Sequence, residues 1–396
     1  MKLSRQREKS PINPPPVSRE RSRVPLTGEE PFFWGAAMAW TPWRNIDVVY
    51  RLSRRRADEQ ADRLAGSRVL PPSPSNLLHA LKWLWGHLTG IDAATIASEE
   101  RGWPTGQAGY RFEGFSVVSP DGSRRWRVDL GVPCAPPPLA GLPSLWMLDG
   151  WRALAEFDRA LLQALAARPQ PPLLVFLSHD DEAAPQSARV RDYTFRAGHY
   201  PFLCPPGAPP QDGVGGGADA LLELMERQIW PRLQARMVLD PRRRTLWGHS
   251  LAGLFVVYAL LARPCGFRTH IAGSPSLWWC KGALLGEPFD RFAQRNAGRR
   301  VRVLLSLGAD ERAGRAPPPA AGDFHAVALR EAGAETAPDA AFQLACRLAD
   351  VPGVEVGFQE FTGLDHAGMF RASLLQALHD VAGIDAQAAR AGSGAG

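Results

Sequence analysis

From Gly109 onward, short apolar runs alternate with amphipathic helical patterns, and this alternation limits the fold more than any other feature of the chain. Several of these runs are nearly continuous, as is typical of strands buried on both faces of a sheet. They are Ser144–Leu148, Leu173–Leu177, Arg244–Trp247 and Val301–Leu305. Helical patterns such as Trp151–Ala167 and Asp219–Arg236 lie between them. The alternation predicts an α/β domain with a mostly parallel sheet and helices on both faces.

The domain is expected to begin with an antiparallel hairpin. The runs Phe112–Val118 and Trp126–Val132 flank the turn sequence Pro-Asp-Gly-Ser at 120–123, which is typical of two strands joined by a tight turn. Two later segments, Pro205–Gly217 and Ala313–Pro338, carry little periodic pattern. We interpret them as long loops within the same domain.

The sequence predicts four regions along the chain. Residues 1–76 are rich in Arg, Pro and Ser and are predicted to be disordered. Leucines and Trp85 recur at helical spacing over Leu77–Leu88, so residues 77–109 are a candidate helix and linker. The catalytic domain is predicted over 110–384, and a flexible tail over 385–396.

The basic charge of the chain is confined to its first residues. The formal net charge is +6, but residues 1–56 contain 12 Lys and Arg against 5 Asp and Glu, and the other 340 residues carry 34 against 35. A basic arm without interleaved aromatic residues is more typical of a solvated segment than of a nucleic-acid reader. We therefore expect no nucleic-acid partner.

Other features exclude a membrane span and a disulfide scaffold. The longest apolar run, Leu254–Ala262, has nine residues, whereas a membrane-spanning helix needs about 20. The five cysteines are scattered and include no C-x-x-C pair, which argues against a disulfide framework or a structural zinc site. No secretory signal is recognisable, so a cytoplasmic location is expected. A periplasmic location stays open if translation starts downstream.

One serine lies between a strand pattern and a helix pattern, in the segment RTLWGHSLAGL. A serine on such a turn exposes its hydroxyl above the sheet edge, and the turn needs small flanking residues. Gly248 and Gly253 supply them, although Ala252 stands where the strict G-x-S-x-G motif has glycine. We predict that Ser250 is a nucleophile. The alternative is a Gly/Ser turn without chemistry.

A serine nucleophile needs a base, and in folds with this turn the acid and the histidine follow the serine in that order. The histidines downstream of Ser250 are His270, His325, His366 and His379. Only His366 lies in a loop between a strand pattern and a helix pattern, so it is the predicted base. The others lie in a core strand, in the long insertion and on the final helix.

The acid is expected in the loop that follows the preceding strand. The segment Leu305–Glu311 supplies two carboxylates, of which Glu311 is the first choice and Asp310 the second. Acyl transfer also needs backbone N–H groups directed at the developing oxyanion. We predict that Leu251, which follows the nucleophile, supplies one, and that Gly150 or Trp151, at the end of a strand, supplies the other.

A metal site is a further candidate for the chemistry of this chain. His179, Asp180 and Asp181 are adjacent, but no second ligand cluster accompanies them. We interpret them as a polar loop at the end of a strand, and we expect neither a metal nor a cofactor.

Several short motifs resemble those of a known family. They are Met147–Gly150, Arg191–Thr194, Gly248–Leu251, Ser274–Trp278 and His366–Phe370. Together they make the region from Tyr110 to about Gly383 similar to the "Putative esterase" family of α/β-hydrolases, and within it to the siderophore esterases that open the trilactone of enterobactin-like catecholates. The resemblance implies the α/β-hydrolase fold, with Ser250 and His366 as nucleophile and base.

The resemblance also bears on substrate recognition. Arg189 matches an arginine that can face an anionic catecholate, and some relatives work as a Ser/His pair without an acid. The chain departs from this branch at Trp151, where a small polar residue is common. In this interpretation Arg189 and Arg191 pair with catecholate oxygens, and Trp278 and Trp279 stack on aromatic rings. The ordinary alternative is that the arginines are solvated and the tryptophans belong to the core.

The predicted function is that of a serine esterase acting on a small-molecule ester, with a ferric or free catecholate siderophore trilactone as the substrate. Alternatives within the same class are hydrolysis of an acylated sugar, a feruloyl ester or a glutathione thioester. The alternative from another class is a non-catalytic binding protein that retains the hydrolase fold. The sequence leaves the oligomeric state open.

Overall fold

The computed structural model describes residues 108–180, 185–198, 214–264, 266–296, 298–314 and 336–383. The chain divides into two units, Met1–Pro42 and Trp43–Gly396, and all the described residues belong to the second. The predictions of disorder over 1–76, of a helix over Leu77–Leu88 and of a flexible tail over 385–396 lie outside the described residues. So do most of the two predicted loops and His325.

Ten strands occur in the described part of the chain. They are β1 (Tyr110–Val118), β2 (Arg125–Pro133), β3 (Leu142–Leu148), β4 (Leu173–His179), β5 (Ala197–Gly198), β6 (Val214–Gly215), β7 (Leu239–His249), β8 (Thr269–Gly273), β9 (Val301–Gly308) and β10 (Val354–Phe361). Eight of them form one sheet in the order β1-β2-β4-β3-β7-β8-β9-β10, and β5 pairs with β6. In this order across the sheet, the pairs β1–β2 and β2–β4 are antiparallel, and every following pair is parallel. The predicted mostly parallel sheet with an antiparallel hairpin at its start is confirmed.

The helices cover both faces of this sheet. They are α1 (Gly150–Leu154), α2 (Arg159–Ala166), α3 (Pro185–Tyr193), α4 (Ala218–Leu224), α5 (Trp230–Gln234), α6 (Leu251–Ala262), α7 (Glu287–Arg295), α8 (Ala309–Arg312), α9 (Ala340–Ala349) and α10 (Met369–Ala382). Side chains alternate between the two faces of a strand, and in β3 Trp146 and Leu148 enter one apolar cluster while Leu145 and Met147 enter another. All seven residues of β3 are buried. The near-continuous apolar run therefore reflects a strand covered on both faces.

Two predicted helices differ from those observed. The pattern over Trp151–Ala167 is divided into α1 and α2, because the Asp158 carboxylate accepts the Leu161 N–H at 2.7 Å and begins a new helix. The pattern over Asp219–Arg236 is interrupted by a π-helical turn, Met225–Ile229, between α4 and α5. Pro231 lies just after that turn and has no backbone N–H, so it cannot donate a hydrogen bond to a carbonyl of the preceding turn. In the described part, no helix combines the length and apolar character needed to cross a membrane.

Candidate active site

The candidate site lies where the parallel strands end. The carboxyl ends of parallel strands share one edge of a sheet, and ligand sites of open α/β sheets lie at that edge. The segments that follow β3, β7, β8, β9 and β10 meet there. They carry the residues 149–151, 250–251, 274–276, 310–311 and 366, respectively.

Ser250 occupies a strained turn between β7 and α6. Its φ is 62° and its ψ is −121°, which is a rare conformation for a residue with a side chain. The turn also leaves no room for a side chain at position 248, since a Cβ added to Gly248 would lie 2.5 Å from the Ala252 carbonyl oxygen. The predicted strand–turn–helix arrangement around the serine is therefore present, and Ala252 is accommodated in α6.

The serine, the histidine and a carboxylate form one continuous line of hydrogen bonds. The Nε2 of His366 lies 2.9 Å from the Oγ of Ser250, and its Nδ1 lies 2.8 Å from the Oε1 of Glu311. A carboxylate only accepts hydrogen bonds, so the proton of a neutral His366 ring is on Nδ1. The lone pair of Nε2 then faces the serine hydroxyl, as proton removal requires.

The structure distinguishes the two candidate acids. Glu311, on α8, contacts His366 with one carboxylate oxygen and accepts the Ser274 hydroxyl with the other at 2.6 Å. Asp310 contributes its backbone N–H to the Leu364 carbonyl at 3.1 Å, which links the loop of the acid to the loop of the histidine. Glu311 is thus the carboxylate that contacts the histidine.

A second histidine supports the first. His249, at the end of β7, lies 2.9 Å through its Nε2 from the backbone carbonyl of His366. Burial, then the nearby His366 and Arg152, hold the pKa of His249 well below its ordinary value, so the ring is neutral. A carbonyl can only accept, so Nε2 of His249 carries the proton. This bond joins the backbone of the histidine loop to the strand that directly precedes the nucleophile.

The predicted oxyanion donors lie at the ends of β3 and β7. Leu251 is the first residue of α6, and Gly150 and Trp151 are the first two of α1. The first amides of a helix have no acceptor within that helix. A Cβ at Gly150 would lie 2.6 Å from the Leu177 backbone nitrogen, so glycine allows α1 to approach β4 closely. The Trp151 side chain is 63% exposed.

The four predicted substrate-binding residues differ in their surroundings. Arg189 holds Asp149 through two hydrogen bonds of 2.7 Å, so its guanidinium is engaged by a carboxylate of the protein. Arg191 is 40% exposed and contacts Asp192 through its Nε at 3.1 Å. The prediction that Trp279 stacks on a substrate ring is wrong, because this indole is 1% exposed and donates its N–H to the Arg196 carbonyl. Trp278 is half-buried.

The other histidines lie elsewhere in the fold. His270 is buried in β8, and His379 lies on α10, as expected. His179 contacts Asp192 at 3.1 Å through its Nε2, so it belongs to a buried network. No group of three metal-ligating side chains occurs among the residues that the structure describes.

Sequence reasoning missed four residues that support the site: Asp149, Tyr193, His249 and Ser274. Each of the four lies inside one of the motifs that carry the family resemblance. Their positions were thus visible, but their partners were not. Each contacts a residue from 37 to 117 positions away, so no local sequence pattern indicates the contact.

Comparisons with known proteins agree with this fold. The family model described as "Putative esterase" matches residues 122–381. The "Apo-salmochelin esterase" of Escherichia coli O6:H1 is 30% identical over 287 residues, which cover 71% of this chain and 82% of that protein. The "Ferri-bacillibactin esterase BesA" of Bacillus subtilis is 30% identical over 197 residues, 47% of this chain and 66% of BesA.

Solved structures give the same result. The structure titled "Enterobactin and Salmochelin Hydrolase IroE" has a TM-score of 0.51 and 28% identity, and the match covers 70% of this chain and 98% of IroE. The "Siderophore hydrolase EstA" from Aspergillus nidulans, at 20% identity and a TM-score of 0.56, covers 75% of this chain and shows the shared fold. The fold and the site define an α/β-hydrolase.

Because the family model matches more than half of the chain, the chain belongs to the "Putative esterase" family. It is a carboxylic ester hydrolase. The predicted fold class and the predicted resemblance are both confirmed.

Proposed function

We propose that this chain hydrolyses the ester bonds of a catecholate siderophore trilactone of the ferric enterobactin type, through an acyl-enzyme on Ser250. The observation that carries the proposal is the hydrogen-bonded line of Ser250, His366 and Glu311 at the carboxyl edge of the sheet. The names of the relatives support the siderophore as the substrate class.

The geometry supports a two-step acyl transfer. Ser250 Oγ attacks the ester carbonyl carbon while His366 Nε2 takes the hydroxyl proton, and amides of 150–151 and 251 stabilise the tetrahedral oxyanion. The intermediate collapses, and the alcohol oxygen leaves with the proton from His366. Water then attacks the acyl-serine, giving its proton to His366. Collapse releases the carboxylic acid and returns that proton to Ser250 Oγ.

Two exposed side chains support an aromatic, anionic substrate. Trp151 presents a mostly exposed indole next to the amides proposed as oxyanion donors, and indoles stack on aromatic rings. Arg191 is 40% exposed, and a guanidinium pairs well with paired phenolate oxygens. Iron, where present, is part of the substrate.

Product analysis tests the proposal. Iron-loaded and iron-free catecholate trilactones and simple p-nitrophenyl esters are incubated with the wild type and with Ser250→Ala, and the products are identified by mass spectrometry. We expect linear catecholate fragments from the wild type and a loss of about 10⁴-fold or more in kcat for Ser250→Ala. Ser306→Ala is the matched control, since its buried hydroxyl on β9 has no hydrogen-bond partner among the described residues.

Each other outcome is informative. Turnover of simple esters alone would discard the siderophore substrate and leave the esterase. Turnover that is equal in the wild type and in Ser250→Ala would discard Ser250 as the nucleophile. Binding of a trilactone without any product would favour a binding protein that retains the hydrolase fold.

A further inference from the structure

The segment Asp149–Trp151, here called the oxyanion loop, is held by two residues of helix α3. We infer that Arg189 is a positioning residue that fixes this loop for catalysis, and that it does not bind the substrate. The inference rests on the proposed function, because it concerns the amides that stabilise the oxyanion of the same acyl transfer.

Arg189 and Asp149 form a two-pronged ion pair. The Nε and Nη2 of Arg189 each lie 2.7 Å from a different carboxylate oxygen of Asp149. The side chains are only 18% and 6% exposed, respectively. This fork geometry fixes the orientation of both groups, which a lysine in place of the arginine could not do.

The backbone of Asp149 is also held. Its φ of 51° and ψ of 46° lie in the left-handed region, which few residues with a side chain adopt, although Asp does so more readily than most. Its N–H donates to the Tyr193 hydroxyl at 3.0 Å, and its carbonyl accepts the N–H groups of Arg152 and Ala153. The side chain, N–H and carbonyl of Asp149 are therefore all bound, directly before the two proposed donor amides.

Helix α3 is itself fixed to the sheet. Asp192 lies on this helix, and its side chain is fully buried. Its carboxylate accepts the Trp126 indole N–H at 2.9 Å. It also contacts His179 at 3.1 Å and Arg124 at 3.2 Å. Trp126 lies on β2 and His179 ends β4. Arg189 and Tyr193 both lie on α3. Because α3 is attached to these strands, the two residues hold the oxyanion loop in a fixed position relative to the sheet.

The two roles of Arg189 predict different kinetics. An arginine that pairs with an anionic substrate contributes mainly to binding, so its loss raises KM for anionic esters and spares neutral ones. An arginine that holds oxyanion donors contributes in the transition state. Its loss then lowers kcat for neutral and anionic esters alike, with little change in KM.

The experiment compares Arg189→Ala, Arg189→Lys, Asp149→Asn and Arg189→Ala/Asp149→Asn with the wild type, on p-nitrophenyl acetate and on the anionic p-nitrophenyl hemisuccinate. We expect kcat to fall about 10- to 1,000-fold on both esters, with KM changed less than about threefold. The double variant should be no worse than the worse single variant, because both lose one interaction. Affinity for a boronic acid transition-state analogue should fall in parallel with kcat.

Arg189→Lys separates the hypotheses if the alanine variant does not fold. It keeps the charge, so a substrate-binding role would leave activity on the anionic ester nearly intact, whereas the positioning role predicts the kcat loss. Arg291→Ala is the matched control, since it removes an exposed arginine paired with Glu287 on α7. Circular dichroism checks that each variant is folded.

A rise in KM confined to the anionic ester, or additive losses in the double variant, would overturn the inference. It can fail while the wild type still hydrolyses esters through Ser250, and the proposed function then stands. Conversely, if the wild type cleaves only simple esters, the proposed siderophore substrate is discarded. The kinetics of the variants on p-nitrophenyl acetate still test the role of Arg189. A wild type inactive on every ester overturns both.

Discussion

At the scale of single residues, the candidate site is a line of hydrogen bonds that extends beyond the three predicted residues. Ser274 donates to Glu311, Glu311 accepts from His366, and His366 faces Ser250. Each polar group in such a line restricts the rotation of the next. Ser274 has a φ of 41°, so this supporting residue, like Ser250, adopts a rare backbone conformation at the sheet edge.

We expect Ser274→Ala to lower kcat by about 10-fold or more, because a hydrogen bond to a charged group is worth about 1.5–3 kcal/mol and Glu311 would lose one of the two that orient it. Steady-state kinetics on p-nitrophenyl acetate measures the effect, with Ser306→Ala as the control. An unchanged kcat in Ser274→Ala would show that His366 alone keeps Glu311 in place.

His270 gives a prediction for pH-dependent stability. Burial lowers its pKa to about 3, whereas an unfolded chain has the ordinary value of about 6.5. Between these values the unfolded state binds more protons, so the free energy of unfolding falls as the pH falls. From pH 7 to pH 5 this group alone accounts for a loss of about 2 kcal/mol.

Urea unfolding at pH 7 and pH 5 tests this. His270→Leu should lose less stability than the wild type over that range, by about 2 kcal/mol. Phe267→Leu, which alters the ring next to His270 without removing a titrating group, should keep the wild-type difference between the two pH values. Equal pH dependence in His270→Leu and the wild type would contradict the assignment.

At the scale of elements, α3 shows how a helix can be attached by polar contacts. Its sequence, PQSARVRDY, contains few apolar residues, and one of these, Tyr193, packs against Phe255 of α6. Asp192 adds polar contacts to β2 and β4. Burial acts to raise the pKa of Asp192, but the His179 hydrogen bond and the charges of His179 and Arg191 outweigh it and hold the pKa below its ordinary value.

Asp192→Ala should therefore lower the free energy of unfolding by about 3 kcal/mol, because it removes the carboxylate that several buried donors share. Ester hydrolysis should fall as well, since α3 carries Arg189 and Tyr193 to the oxyanion loop. Chemical denaturation measures the first effect and kinetics the second. The control is Asp290→Ala, an exposed carboxylate paired with Arg347, for which less than about 1 kcal/mol is expected. Similar losses in the two variants would argue against the anchoring role.

At the scale of the whole molecule, the site exists because the strands are parallel. Ser250, Glu311 and His366 follow β7, β9 and β10, and only a common strand direction brings their loops to one edge. Gly308 lies where the loop after β9 packs directly against the loop after β10. A Cβ at this position would lie 2.2 Å from the Leu364 carbonyl oxygen. The loop of the acid and the loop of the histidine are thus in direct backbone contact.

We expect Gly308→Ala to separate these two loops and to lower kcat by about 10- to 100-fold, because small displacements of catalytic groups reduce rates strongly. Gly286→Ala is the control, since an added Cβ there would make only an ordinary contact at 3.7 Å. Kinetics and thermal unfolding of both variants provide the measurement. A Gly308→Ala enzyme with normal kcat would show that the loops can move apart without consequence.

Local order in the sequence was enough to predict the sheet and the candidate nucleophile and base. Apolar runs alternating with helix patterns predicted the parallel sheet and its initial hairpin. They could do so because a strand or helix that is buried on one or both faces has apolar residues at regular positions in its sequence. The Gly-His-Ser segment between a strand and a helix singled out Ser250 as the candidate nucleophile, and loop position singled out His366. These inferences use neighbours in the sequence, for which the backbone fixes the geometry.

Residues with the same local sequence features were distinguished by tertiary contacts. Glu311 and Asp310 are adjacent and chemically alike, and the direction of each side chain from α8 determines which one meets His366. The sequence leaves Arg189 either solvated or facing the substrate, and the structure pairs its guanidinium with Asp149, 40 positions earlier. Trp279 looked like its neighbour Trp278, yet packing buried it. Such outcomes depend on distances between elements that only the assembled core sets, because folding brings together groups whose separation along the chain carries no local signal.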